Sequence, residues 1–184
     1  MFGTLLKKLA TPPPFQIGKR NLERAHRALL NNDMAQAAEY NTLAAQAFRA
    51  MLTQAEGKPI FPARLVAAGV ALLREGDPET AATLLERAVE SDRMLLPAMV
   101  WAGLAHAMLG RQEQALRHWQ AFPGVQAGQV VLDKILKEQV RLLEMTAGQK
   151  RDLAAACNAV SQALIQQERI SHREGKPYWL LERL

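Results

Sequence analysis

The feature that most constrains this chain is an internal repeat with a period of 34 residues. Gly69 and Gly103, Gly76 and Gly110, Ala81 and Ala115, and Leu85 and Trp119 are each 34 positions apart, so four markers share one register. The two stretches run from Arg64 to Arg93 and from Ala98 to Ala127. A period of that size fits one helix-turn-helix unit, which cannot bury its apolar face alone and so stacks on its neighbours. Gly69 and Gly103 fall inside helical periodicity, where glycine costs about 1 kcal/mol relative to alanine. Their presence implies crossing points at which two helix backbones touch. Gly76 and Gly110 fit the left-handed position that ends a helix. Asp77-Pro78-Glu79 then supplies an N-cap, a proline at the first helical position and an acidic first turn, which restarts a helix at once.

Composition supports helices throughout. Of the 184 residues, 49% are hydrophobic and only 5% aromatic, alanine and leucine are abundant, and β-branched residues are sparse. The length fits one domain with a real core. No apolar run approaches the roughly 18 residues that a membrane span needs, and Met1 to Leu9 lacks the order of charge and apolarity of a cleavable leader. The lone Cys157 cannot form an internal disulfide, which fits a reducing, cytoplasmic setting, and among alanines it reads as an inert buried thiol.

The small residue at the helix crossing, the turn glycine and the alanine early in the second helix resemble the tetratricopeptide repeat. The resemblance covers residues 62–95 and 96–125 well and the rest loosely. It implies an all-α fold, a right-handed α-solenoid of antiparallel helical hairpins, working as a non-catalytic adaptor or scaffold. Residues 18–54 read as a degenerate first repeat, with Ala25, Asn32, Ala37 and Ala44 in the family's spacing, although Asn21 and Arg24 stand where large apolar residues are usual. About ten residues are then inserted around Glu56 to Pro62. After the break at Phe122-Pro123-Gly124, residues 126–145 and a helix opened by a Thr146/Gln149 capping box read as a C-terminal capping helix pair, 126–171.

In the family, the first helices of successive repeats line a concave groove. Carried across, this gives Val66, Val70, Leu73 and Arg74 from one repeat and Val100, Leu104, Ala107 and Met108 from the next, with Lys19, Leu22, His26, Leu29 and Leu30 from the degenerate one. The subclass that clamps terminal carboxylates uses Lys, Asn and Arg where this chain has Leu22, His26, Ala67, Pro97 and Trp101, which argues against such a clamp. An apolar groove suits a protein or peptide partner presenting an amphipathic helix or an extended apolar segment. The same side chains could equally be core between hairpins, and a segment of the chain itself could fill the groove.

The first 17 residues form a separate segment. Phe2, Leu5, Leu6 and Leu9 share one helical face opposite Lys7 and Lys8, and Thr11-Pro12-Pro13-Pro14 reads as an extended spacer before a body that starts near Gly18. Residues 1–30 carry six basic side chains against Glu23 alone, while the other 154 residues balance. A nine-residue helix is too short to persist alone, so this anchor is expected on the body, on a second copy in a homo-oligomer, or on an anionic membrane surface. Residues 172–184 form an apolar tail. The alternatives to an adaptor are therefore a membrane-peripheral or self-assembling repeat protein and a secretion-type chaperone. Nucleic acid is a poor fit, because the basic residues lack interleaved aromatics.

Chemistry is sparse in the sequence. His26, His106, His118 and His172 are scattered, no Cys/His group has metal-ligand spacing, and no phosphate loop or nucleophile elbow occurs. The expectation is no catalytic residue, no metal and no cofactor, with His106 a packing residue.

Overall fold

Gly69 and Gly103 sit where helices meet, as the period implies, but the contact is made by side chains. A Cβ on Gly69 would lie 2.7 Å from Cγ of Leu85, and one on Gly103 would run into the indole of Trp119. In each repeat the glycine receives the large side chain found 16 positions later. These relationships come from a computed structural model, which describes residues 12–123, 128–146 and 150–176.

Eight helices carry the described chain, with no strand among the described residues: α1 (Pro14–Leu30), α2 (Met34–Gln54), α3 (Pro62–Glu75), α4 (Pro78–Ser91), α5 (Leu96–Met108), α6 (Gln112–Gln120), α7 (Val130–Met145) and α8 (Lys150–Arg173). None is long and apolar enough to cross a membrane. The helices pair in order, α1 with α2, α3 with α4 and α5 with α6. Successive pairs join through α2 on α3 and α4 on α5, and α3 touches both α1 and α5.

One turn closes all three hairpins and recurs after α8, where the amide of Lys176 follows left-handed Gly175. The amide of Asp33 donates to the carbonyl of Ala28, that of Asp77 to Leu72 and that of Arg111 to His106, each at 2.9 Å. The residue before each donor is left-handed: Asn32 (φ 60°), Gly76 (φ 102°) and Gly110 (φ 75°). Asparagine tolerates that conformation better than other residues with a side chain, so the first hairpin closes in the same way without a glycine. Ala25, seven positions before Asn32 as Gly69 is before Gly76, is fully buried. Asp33 caps α2 through the amide of Gln36, and Asp77 caps α4 through that of Thr80. Arg111 holds the matching place before α6 and offers no cap.

Two boundaries depart from the sequence reading. Pro14 is the first helical residue of α1, so the body begins at residue 14 rather than 18, and of the three prolines Pro12 and Pro13 alone stand before the helix. A proline fits there because its missing N–H has no helical partner anyway. The added turn packs Phe15 against Phe48, with ring centroids 6.3 Å apart, and places Gly18 under the same ring.

The second departure concerns the last pair. α7 packs on α6 and pairs with α8, and α8 also turns back onto α5 and reaches α1. At 1.5 Å per residue, its 24 residues span roughly 36 Å, enough to cross three helices set about 8–10 Å apart. Its inward stripe of Leu153, Ala156, Val160, Ala163 and Leu164 is buried with the rest of the core. Helix α8 therefore lies against the first helices of the third and first hairpins, α5 and α1.

Candidate functional site

The eight groove positions separate into three groups. Val66, Val70 and Val100 are at most 1% exposed and belong to the core. Leu73, Leu104 and Ala107 are also buried, Arg74 is half-buried, and Met108 is 48% exposed. Leu73, Arg74, Leu104 and Met108 come together with Trp101 around a cavity of about 290 Å³, whose far wall is Leu164 and Ile165 of α8. The Arg74 guanidinium lies over the Trp101 ring at 5.1 Å, an attraction between a cation and the negative ring face. Asn41 also borders this cavity, and its buried Oδ1 has no hydrogen-bond partner.

His26, Leu30 and Glu168 are shared with a second, larger cleft of about 780 Å³ between α1 and the C-terminal part of α8. Its walls carry Lys19, Arg27, Arg169, Arg173 and Lys176 against Glu23 and Glu168, a basic excess. Arg169 bonds Asn32 and Lys176 pairs with Glu174, whereas Arg27 and Arg173, both exposed, make no ion pair or hydrogen bond with a side chain among the described residues. His26 Nε2 is 3.9 Å from Glu168, too far for a hydrogen bond. Burial, with Arg74 and His172 adding like-charge repulsion, lowers the imidazole from 6.5 to about 3, so His26 is neutral in the folded chain.

A separate group of polar side chains lies at the junction of α4, α5 and α6. His106 is buried as expected of a packing residue, yet its Nε2 lies 2.8 Å from Oε1 of Glu86, and its ring stacks on His118. Burial and the neighbouring His106 lower the pKa of His118. Cys157 is half-buried, and burial raises its thiol to about 11, which leaves it an inert thiol at neutral pH.

The contribution of α8 to the cleft could not be read from the repeat pattern, which ends before it. The visible signal was its unusual polar end, Glu168, Arg169, His172 and Arg173, on a helix long enough to return. The Glu86–His106–His118 group escapes any spacing rule, because its members are 20 and 12 residues apart on three helices. Phe2, Leu5, Leu6, Lys7, Lys8 and Leu9, the Gln149 end of the capping box and the tail from Pro177 lie outside the described residues. Comparison with protein-family models, with curated proteins and with solved structures finds no match to this chain.

Proposed function

We propose that this chain is a non-catalytic adaptor, a right-handed stack of tetratricopeptide-like hairpins that binds a segment of another protein. The observation that carries this reading is the two-part site beside α8: an apolar cavity walled by Leu73, Leu104, Met108 and Leu164, opening next to a basic cleft that bears Arg27 and Arg173. The cavity has room for one large side chain or two small ones, and the cleft has room for several residues. Concave apolar sites with a few placed polar groups are the usual form of a binding site. The matching ligand is a short segment with a large apolar residue flanked by Asp or Glu. Helix α8 packs on α5 and reaches α1, and both parts of the site lie along its C-terminal half, so recognition falls there.

A displayed peptide library panned against the full chain tests this. Selected sequences should combine a large apolar residue with acidic neighbours, and their affinity should fall as salt rises, since exposed charges are screened over about 8–10 Å. Met108→Asp should weaken the apolar anchor, and the double variant Arg27→Glu, Arg173→Glu should remove the acidic preference. Failure to enrich any such sequence, or unchanged binding in both variants, would overturn the reading.

A further inference from the structure

Glu86 on α4, His106 on α5 and His118 on α6 converge where the second hairpin meets the third, and none of the three lines the cavity or the cleft beside α8. Each offers one ligand atom, a carboxylate oxygen or a ring nitrogen, and the three atoms lie within 4.8 Å of one another. His106 is 2% exposed, and its Nδ1 is buried with no hydrogen bond. Neither neutral tautomer satisfies this ring. With the proton on Nε2, donated to Glu86, a buried lone pair on Nδ1 has no donor. With the proton on Nδ1, a buried N–H has no acceptor, and Nε2 aims a lone pair at a carboxylate. A cation between Nε2 and the carboxylate replaces that repulsion with two coordinate bonds, while the proton on Nδ1 stays buried without an acceptor. His118 stacks on His106 with ring centroids 5.6 Å and planes 6° apart, and makes no hydrogen bond to any described residue.

The geometry points to a divalent transition-metal site of the zinc class at Glu86, His106 and His118. Two imidazoles and one carboxylate suit Zn²⁺, Co²⁺ or Ni²⁺ better than Mg²⁺ or Ca²⁺, which take oxygen ligands. Bonds of about 2.0–2.1 Å place tetrahedral ligands roughly 3.3 Å apart. To reach that value the 2.8 Å between His106 Nε2 and Glu86 must open and the distances to His118, now within 4.8 Å, must shorten, and both movements fall on the half-buried Glu86 and His118 side chains rather than on buried His106. The Glu86 side chain is 43% exposed, which gives an ion a way in from solvent. Three protein ligands leave a fourth position for water. Because the ligands come from α4, α5 and α6, the ion ties the second hairpin to the third.

The full chain, first treated with a chelator and dialysed, is titrated with Co²⁺ alone. The expected result is one equivalent bound with visible d–d bands of four- or five-coordinate Co²⁺, displaced by Zn²⁺, together with a higher Tm. Glu86→Gln and His118→Gln should weaken binding by at least the ~10–100-fold seen when even a supporting group of a metal site is removed, and His172→Asn should change nothing. Nitrogen NMR of the imidazoles reads the same question without substitutions, with His106 and His118 shifted by Zn²⁺ and His26 and His172 unmoved. The proposal is overturned if no d–d band appears at one equivalent, if either ligand variant binds as the unmodified chain does, or if the shifts fall on His26 or His172.

Discussion

The indole of Trp119 lies over Gly103 and donates its Nε1–H to the carbonyl of Val100 at 3.2 Å. The ring is thus held from α5 by a hydrogen bond while it occupies the space that a Cβ on α5 would need. Gly69 and Leu85 form the matching pair in the preceding hairpin, with a flexible aliphatic side chain in place of the fixed ring. Gly103→Ala should therefore cost about 1–3 kcal/mol of overpacking. Gly69→Ala should cost less, because Leu85 can shift and alanine gains about 1 kcal/mol of helix propensity. Urea denaturation of both variants checks the order, and a Gly103→Ala chain as stable as the parent would show that the crossing is not tight.

The capping aspartates give a second comparison. Asp77 accepts from the amide of Thr80 at 3.2 Å and also faces Arg49 at 3.4 Å. Its pKa is lowered by the Thr80 and Arg49 hydrogen bonds despite the opposing cost of desolvation. Loss of an N-cap costs about 1 kcal/mol, and exposed ion pairs such as that with Arg49 add little. Asp77→Ala should lower the stability by about 1 kcal/mol, and Asp77→Asn, which keeps the cap and loses the charge, should recover most of it. Equal losses in the two variants would assign the effect to the ion pair.

Acid should destabilise the chain through His26. Its folded pKa is about 3, lowered from 6.5 by burial and then by Arg74 and His172. A lowered value means that the unfolded chain takes up the proton first. Stability is therefore full above about pH 6.5 and falls as the pH drops from there toward 3, by up to about 1.4 kcal/mol per pH unit for one such group. Between pH 6.5 and 5 few carboxylates titrate, so His26 and His118, which is lowered in the same direction, dominate the slope. His26→Gln should flatten it by close to one proton. Denaturant midpoints measured across this window check the effect, and an unchanged slope would mean that the imidazole is protonated in the fold.

What the sequence makes legible here follows from range. Gly76, Gly110, Asn32 and the aspartates after Asn32 and Gly76 act on amides a few residues away, so their roles are readable in place. The pairing of Gly69 with Leu85 and Gly103 with Trp119 is readable because the same offset occurs twice. The return of α8 over α5 to α1 is set by packing between helices far apart in sequence, and nothing periodic announces it. The cleft inherits that limit. Leu73, Arg74, Leu104 and Met108 are reached by repeat geometry, but Leu164, Ile165, Arg169 and Arg173 belong to the part of the chain where the repeat has ended.

The groove positions themselves allow a discriminating pair of substitutions. Val70 is fully buried within α3, between hairpins, whereas Met108 is 48% exposed at the rim of the cavity. An aspartate at position 70 would be an unpaired charge in an apolar interior, a cost of several kcal/mol against a typical total stability of about 5–15 kcal/mol. Val70→Asp should therefore lose its cooperative unfolding transition and much of its helical signal. Met108→Asp places the same charge where water reaches it, and should stay folded within about 0.5–1 kcal/mol of the parent. If recognition uses the cavity, this variant loses affinity for acidic-apolar peptides although its circular dichroism and melting are unchanged. A folded Met108→Asp chain that keeps full affinity would place recognition on another face, and a folded Val70→Asp chain would show that α3 is not clamped between its neighbours.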